Sequence, residues 1–127
     1  MTLQRERFDS CLRSPLRRAS KTAEIIWGTR EFDLVNDDYE LREIDLYSFQ
    51  GLFKAEGKER FGESYRAWKS DPAGFEIDSH YPVRELWDRG MGCWDNVLSQ
   101  PGNSTLVVAH NAIIQALVAS AINLSPE

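Results

Sequence analysis

Histidine and cysteine are scarce in this sequence, two of each among 127 residues. That scarcity leaves little material for a metal centre. Cys11 and Cys93 stand far apart, with neither Cys-x-x-Cys nor Cys/His ligand spacing, and read as reduced thiols rather than a disulfide or metal site. No metal and no other cofactor is expected, because no cluster of ligands is visible. Also missing is any apolar run approaching the ~18 residues of a membrane span. An excess of positive charge is missing too. A formal net charge of −5 argues against broad nucleic-acid binding, since phosphate backbones demand a basic surface. It leaves room for a small anion, which one arginine pocket can hold in an acidic protein. The opening residues, Met1-Thr-Leu-Gln-Arg-Glu-Arg7, form no apolar signal core and include an acidic side chain, unlike a transit peptide. As written, the chain is expected to stay in the cytoplasm. Neither proline nor glycine is in excess, at 5 and 8 residues, and no repeat or linker divides the chain. Hydrophobics at 42% and charged residues at 28% are those of a globular protein, and the length suits one compact domain over residues 1–127.

What is present reads as alternating helices and strands. Ser14-Pro15 predicts a helix start, with serine as the cap and proline at the first helical position. Leu16, Ala19, Ala23 and Ile26 then recur at helical spacing, and Gly28 supplies a stop. Asp33 to Leu41 alternates weakly around Asn36-Asp37-Asp38, which favours a strand or extended loop. After a turn at Gly51, Phe61, Tyr65 and Trp68 predict a short helix closed by Asp71-Pro72. Pro82 opens a third helix with an apolar face of Val83, Leu86, Trp87, Trp94 and Val97. Gly90 and Gly92 weaken its middle by about 1 kcal/mol each relative to alanine, so a kink or a close packing contact is expected there. Pro101-Gly-Asn103 is a turn, and Thr105 to Ala109 a buried strand rich in branched residues. A last helix carries Ile113, Ile114, Leu117, Val118 and Ile122 as its stripe. Helix, strand and helix in this order indicate an α/β layer architecture.

Three polar positions stand out. His110 closes the buried strand just before a helix, where α/β sheets gather ligands and helix starts favour anions. A single histidine there is more often structural. Arg17 and Arg18 occupy the first turn of the Ser14-Pro15 helix, where a guanidinium fork can grip two phosphate oxygens. The alternative is a solvated basic face shared with Arg13 and Lys21. Glu43 lies in Leu41-Arg-Glu-Ile-Asp45, ahead of the Gly51 turn, and a carboxylate beside a phosphate pocket can protonate a leaving oxygen. His80, in Asp78-Ser-His-Tyr-Pro82, reads as an ordinary exposed or capping residue.

Together these segments resemble the histidine phosphatase (phosphoglycerate mutase-like) superfamily. Ser14-Pro-Leu-Arg-Arg-Ala19-Ser-Lys-Thr-Ala23 is similar to the family's second block. Leu41-Arg-Glu-Ile-Asp45 through Gly51 is similar to its acidic block, and Leu106-Val-Val-Ala-His110 to its last block. All three occur in the family's order. Leu46-Tyr-Ser-Phe-Gln-Gly51 resembles plant and cyanobacterial members related to 2-carboxyarabinitol 1-phosphate phosphatase, for which a full-length plant form would have the plastid as its alternative compartment. The resemblance implies a three-layer α/β/α fold and phosphomonoester hydrolysis through phosphohistidine, on a small phosphorylated sugar or sugar acid. It assigns Arg18 to phosphate binding, Glu43 to general acid catalysis, and His110 to donation toward the transferring phosphoryl group, where aimed donors stabilise negative oxygens.

The sequence also departs from the family. No Arg-His-Gly motif occurs, so the first strand and its nucleophilic histidine are missing, as is the part beyond the last helix. A parallel sheet without its central first strand should leave neighbours unpaired and apolar surface exposed. Nothing replaces the nucleophile: Ser14 reads as a cap, and Cys11 has no evident base beside it. Asn111 stands where glycine is usual, and Tyr47 replaces a common glycine. Three readings follow: an enzyme lineage, either phosphatase or phosphoglycerate mutase-type transferase; a non-catalytic phosphate-binding module; and a small α/β domain whose matches are accidental. Scattered positions of Arg18, Glu43 and His110 would favour the last.

Overall fold

A computed structural model describes residues 2–47 and 54–126. The expected turn at Gly51 and the Phe61 side chain fall outside the described residues. Three short strands, β1 (Ser10–Arg13), β2 (Val35–Asp37) and β3 (Thr105–Val108), form a parallel sheet in the order β2-β1-β3. Among the described residues four α-helices accompany them: α1 (Arg17–Trp27), α2 (Lys54–Ser70), α3 (Pro82–Leu98) and α4 (Asn111–Ala121). Cys11 sits opposite Val35 on one side and Leu106 on the other, and Arg13 opposite Asp37 and Val108. A bond of 2.9 Å between the Ser10 and Thr105 hydroxyls ties β1 to β3 at their start.

The two-residue period of β1 divides the core. Cys11 points to one face, where it meets Ala23, Ile26 and Trp27 of α1, and Leu106. Leu12 points to the other and joins Leu41, Leu86 and Cys93, with Ile113, Ala116 and Leu117 of α4. Successive strand side chains alternate sides, so one four-residue strand anchors both layers. The result is the expected α/β/α arrangement, with α1 on one face and α3 and α4 on the other.

Ser10–Arg13 is the middle strand of this sheet, and the sequence reading assigned no strand there. Four residues, Ser10-Cys-Leu-Arg13, are too few to show an alternating pattern. Among the described residues the outer edge of β3 has no paired neighbour. The α4 stripe also needs revision. Ile113, Ala116 and Leu117 are buried, whereas Val118 and Ile122 are 59% and 65% exposed. Small Ala116 lies at the contact with α3, where a Cβ on Gly90 would come within 3.2 Å of the Ala116 Cβ. Gly90 therefore marks close helix packing, and Cys93, absent from the expected apolar face, is fully buried one turn later.

Helix α2 is longer than the expected Phe61–Trp68 segment, with non-helical geometry at Gly62 (φ 22°). Its distal half, with Tyr65, Ala67 and Trp68, packs around Phe75 and Ile77 together with Leu46 and Tyr47. As expected, the helix ends before Asp71-Pro72, where the Asp71 carboxylate accepts from the Gly74 amide.

The turn before β3 depends on glycine. Gly102 has φ 84°, and a Cβ there would lie 2.2 Å from the Asp9 Cβ. The Asp9 carboxylate accepts from the amides of Asn103 at 2.7 Å and Ser104 at 3.1 Å. These bonds, that from Asn103 foremost, hold the Asp9 carboxyl below its ordinary range. Gly102→Ala is expected to destabilise the chain by about 2 kcal/mol, since strained left-handed backbone and a displaced Asp9 act together. A urea titration beside Gly92→Ala, which has nothing within 4 Å of its added methyl, would separate that clash from any general effect of the substitution. Equal midpoints for the two variants would count against it.

Candidate functional site

Each sequence-predicted residue follows the carboxyl end of a different strand. Arg18 is in the first turn of α1, just after β1, and Glu43 follows β2 and the short turn Tyr39–Leu41. His110 stands between β3 and α4, as the residue before the helix. This is the sheet end at which α/β proteins gather ligands, because loops and helix starts converge there.

Ser14 joins the first and third of these segments. Its side chain is fully buried, and its Oγ lies 2.9 Å from His110 Nε2. The same oxygen accepts from the Leu16 amide at 3.2 Å, and the Ser14 carbonyl accepts from the Ser20 hydroxyl at 3.1 Å. The expected capping role is thus corrected: α1 begins at Arg17, and its N-cap residue Leu16 has no side-chain cap. Ser14 instead fixes a turn ahead of the helix and orients the imidazole. With Nε2 bare the hydroxyl donates to it, and with Nε2 protonated the hydroxyl accepts. A serine before proline carries no sequence signal that separates this role from a cap.

Glu43 reaches the same place from the other side. Its Oε1 accepts from the amides of Ala112 at 3.1 Å and Ile113 at 3.3 Å, and Oε2 from Ala112 at 3.3 Å. The Ile44 amide, at 3.0 Å from Oε1, turns the side chain inward. An acidic group here satisfies orphan amides of the first helical turn and complements the helix dipole. Glu43 and His110 are therefore brought together at the start of α4. Arg18 shares an open cleft of about 410 Å³ with Glu43, Leu16, Ile44, Leu46 and Arg42. The sequence reading did not single out Arg42, whose guanidinium carbon lies 3.5 Å from the Tyr39 ring centroid.

A second pocket, of about 190 Å³, lies on the α3 side of the Glu43 segment, lined by Arg42, Glu43 and Tyr47 with Glu85 and Arg89 of α3. The Tyr47 hydroxyl donates to Glu85 Oε1, and His80 Nδ1 is 3.0 Å from Glu85 Oε2. The Tyr47 and His80 rings stack with centroids 3.9 Å apart. The bond to Glu85 pushes the Tyr47 phenol up to about 12. Burial raises the Glu85 carboxyl, but the bonds from Tyr47 and His80 outweigh it and hold the group below its usual range. His80 is half exposed, as expected, yet it serves as the platform for Tyr47 rather than as a simple cap. Tyr47 has φ 51°, the left-handed region that explains why a glycine is common there. Asn111 opens α4 as its first helical residue and needs no glycine. Among the described residues no group of His, Cys, Asp and Glu is arranged to hold a metal ion. None of the described helices is long and apolar enough to cross a membrane.

Comparison with known proteins assigns the chain to a family. The profile of the histidine phosphatase superfamily (branch 1) matches residues 1–127. The chain belongs to this superfamily. The probable 2-carboxy-D-arabinitol-1-phosphatase of Arabidopsis thaliana is 62% identical over 120 residues, covering 94% of this chain and 25% of that protein. The 2-carboxy-D-arabinitol-1-phosphatase of Triticum aestivum is 57% identical over 127 residues, covering 100% and 26%. The chain thus spans about a quarter of the length of these relatives. Among solved structures, the α-ribazole phosphatase from Shigella flexneri superposes with a TM-score of 0.85 at 22% identity, covering 98% of this chain and 63% of that one. A mycobacterial glucosyl-3-phosphoglycerate phosphatase superposes at 0.78 with 28% identity, covering 98% and 62%. The phosphoglycerate mutase-like fold and the nearness to 2-carboxyarabinitol 1-phosphate phosphatases are as expected, and the reading of accidental matches is overturned.

Proposed function

We propose that this chain forms the phosphate-recognising part of a phosphomonoesterase whose substrate is a small phosphorylated sugar or sugar acid. The observation that carries this reading is the meeting of Glu43 and His110 at the start of α4, with Arg18 and Glu43 in one cleft. Arg18 would hold two phosphoryl oxygens through its guanidinium fork. His110, oriented by Ser14, would donate to a third, and Glu43 would give a proton to the departing alkoxide and then take one from water. No Arg-His-Gly occurs in the sequence, so the group that accepts the phosphoryl would have to come from outside this chain. Two relatives with identities of 62% and 57% are named for a phosphorylated sugar acid, which supports that substrate class over phosphoglycerate mutase-type transfer.

Titration of inorganic phosphate into the isotope-labelled chain tests the pocket. The amide signals of Arg18, Glu43 and Ala112 are expected to move together and saturate. Arg18→Ala should weaken binding about tenfold to a hundredfold, as a charge-assisted bond of about 1.5–3 kcal/mol is lost. Shifts confined to other surfaces, or equal binding by Arg18→Ala, would sink the reading.

A further inference from the structure

Residues 42–47 carry Glu43 and separate the two pockets, yet they contain no strand and no α-helix. Their backbone groups need partners other than a regular ladder. The Ile44 and Tyr47 amides bond to carboxylates of the segment itself, Glu43 and Asp45, and helix α3 meets two of its carbonyls. Arg89 Nη1 donates to the carbonyls of Glu40 at 3.1 Å and Arg42 at 2.8 Å, and Nη2 donates to the carbonyl of Glu43 itself at 3.1 Å. One turn earlier on the same helix face, Glu85 holds the far end of the segment through the Tyr47 hydroxyl. Oε2 of Glu85 is in turn fixed by the Tyr81 amide at 3.1 Å and by His80.

The same helix also sets the position of α4. Gly90, next to Arg89, lets α3 approach Ala116 so closely that no Cβ would fit without displacement. Glu43 then reaches the first turn of α4, directly after His110. One helix thereby holds both sides of the gap between the carboxylate and the histidine: the acidic segment through Arg89, and α4 through Gly90.

We infer that Arg89 is a positioning residue for Glu43, with Glu85 as the second anchor of the same segment, so that α3 sets the placement of the acid relative to His110. The functional meaning rests on the proposed role of Glu43, whereas the geometry does not. Lysine cannot substitute, because a single ammonium on a flexible stem does not present the planar fork that meets these carbonyls.

A double-mutant cycle read by amide chemical shift tests the inference. Glu43→Gln in the otherwise native chain is expected to move the Ala112 and Ile113 amide signals, which receive its carboxylate. In Arg89→Lys and Arg89→Gln backgrounds those two signals should already be displaced, and adding Glu43→Gln should no longer move them. Signals of Leu12 and Ala23, and the melting temperature, should stay near their original values. Persistence of the Glu43→Gln shift in a folded Arg89 variant would overturn the inference. So would collapse of the whole spectrum in both variants, which would make Arg89 a general scaffold residue. The readout contains no phosphate. A chain that passes this test but binds no phosphate keeps the positioning role and loses the pocket reading.

Discussion

Trp27→Ala is expected to lower the stability of the chain by about 3–5 kcal/mol, the cost of a large cavity in a core that collapses only partly. The ring is 1% exposed and packs with Cys11, Ala23, Ile26 and Leu106 beneath the sheet. Its Nε1 donates to the Glu31 carbonyl at 3.0 Å, which closes the turn after α1. Arg30 sits over the ring at 5.5 Å from its centroid and donates to the Trp27 carbonyl at 2.8 Å. The same guanidinium covers Phe8 at 5.3 Å and donates to the Glu6 carbonyl, so the loss propagates to the residues before β1. Domains commonly have about 5–15 kcal/mol in total, and the variant should therefore be largely unfolded in mild denaturant. Trp27→Phe, which retains most of the volume, should cost about 1–2 kcal/mol for the unmet carbonyl and the smaller ring. A drop below 1 kcal/mol for Trp27→Ala in urea titrations would mean that the α1 layer is not the core assigned here.

The largest expected effect concerns turnover. Incubated alone with a phosphate monoester such as p-nitrophenyl phosphate, the chain is expected to release phosphate no faster than its His110→Ala variant. Residual catalysis from binding and electrostatics after loss of a nucleophile is of order 10³–10⁴-fold, against accelerations of up to about 10²¹-fold reached for phosphate monoesters. What remains would be too slow to detect. Neither cysteine offers a substitute: both are fully buried, and burial pushes each thiol up to about 11. Robust release of phosphate that survives His110→Ala would contradict the proposed chemistry.

The positions of two candidate site residues were legible because they sit beside strong punctuation. Gly28 ends α1 with φ 63°, Pro82 starts α3, and the branched run before His110 became β3, so Arg18 and His110 could be placed on elements from the sequence. Glu43 was legible only through a family motif, since one carboxylate in a loop has no periodic signal. Two kinds of feature escaped. Ser10–Arg13 is too short to alternate, yet it is the central strand and supplies both cores. Ser14 and Arg89 act through long-range contacts, to His110 and to the carbonyls around Glu43, and spacing along the chain cannot reveal partners found only after folding. The exposed Val118 and Ile122 show a related limit: helical periodicity marks an apolar stripe without saying that something in this chain covers it.

The contact between Tyr47 and His80 has a consequence for engineering. The chain departs at Tyr47 and is back beside it at His80, with the two rings 3.9 Å apart. The intervening residues contribute Phe75, Ile77 and the distal half of α2 to a small cluster shared with Leu46 and Tyr47, whereas the cores on the two faces of the sheet draw on other positions. Such a detour, closed at its neck, is a natural cassette: segments of different length and composition could be grafted between the two rings while β1, β2 and β3 still deliver Arg18, Glu43 and His110 to one end of the sheet.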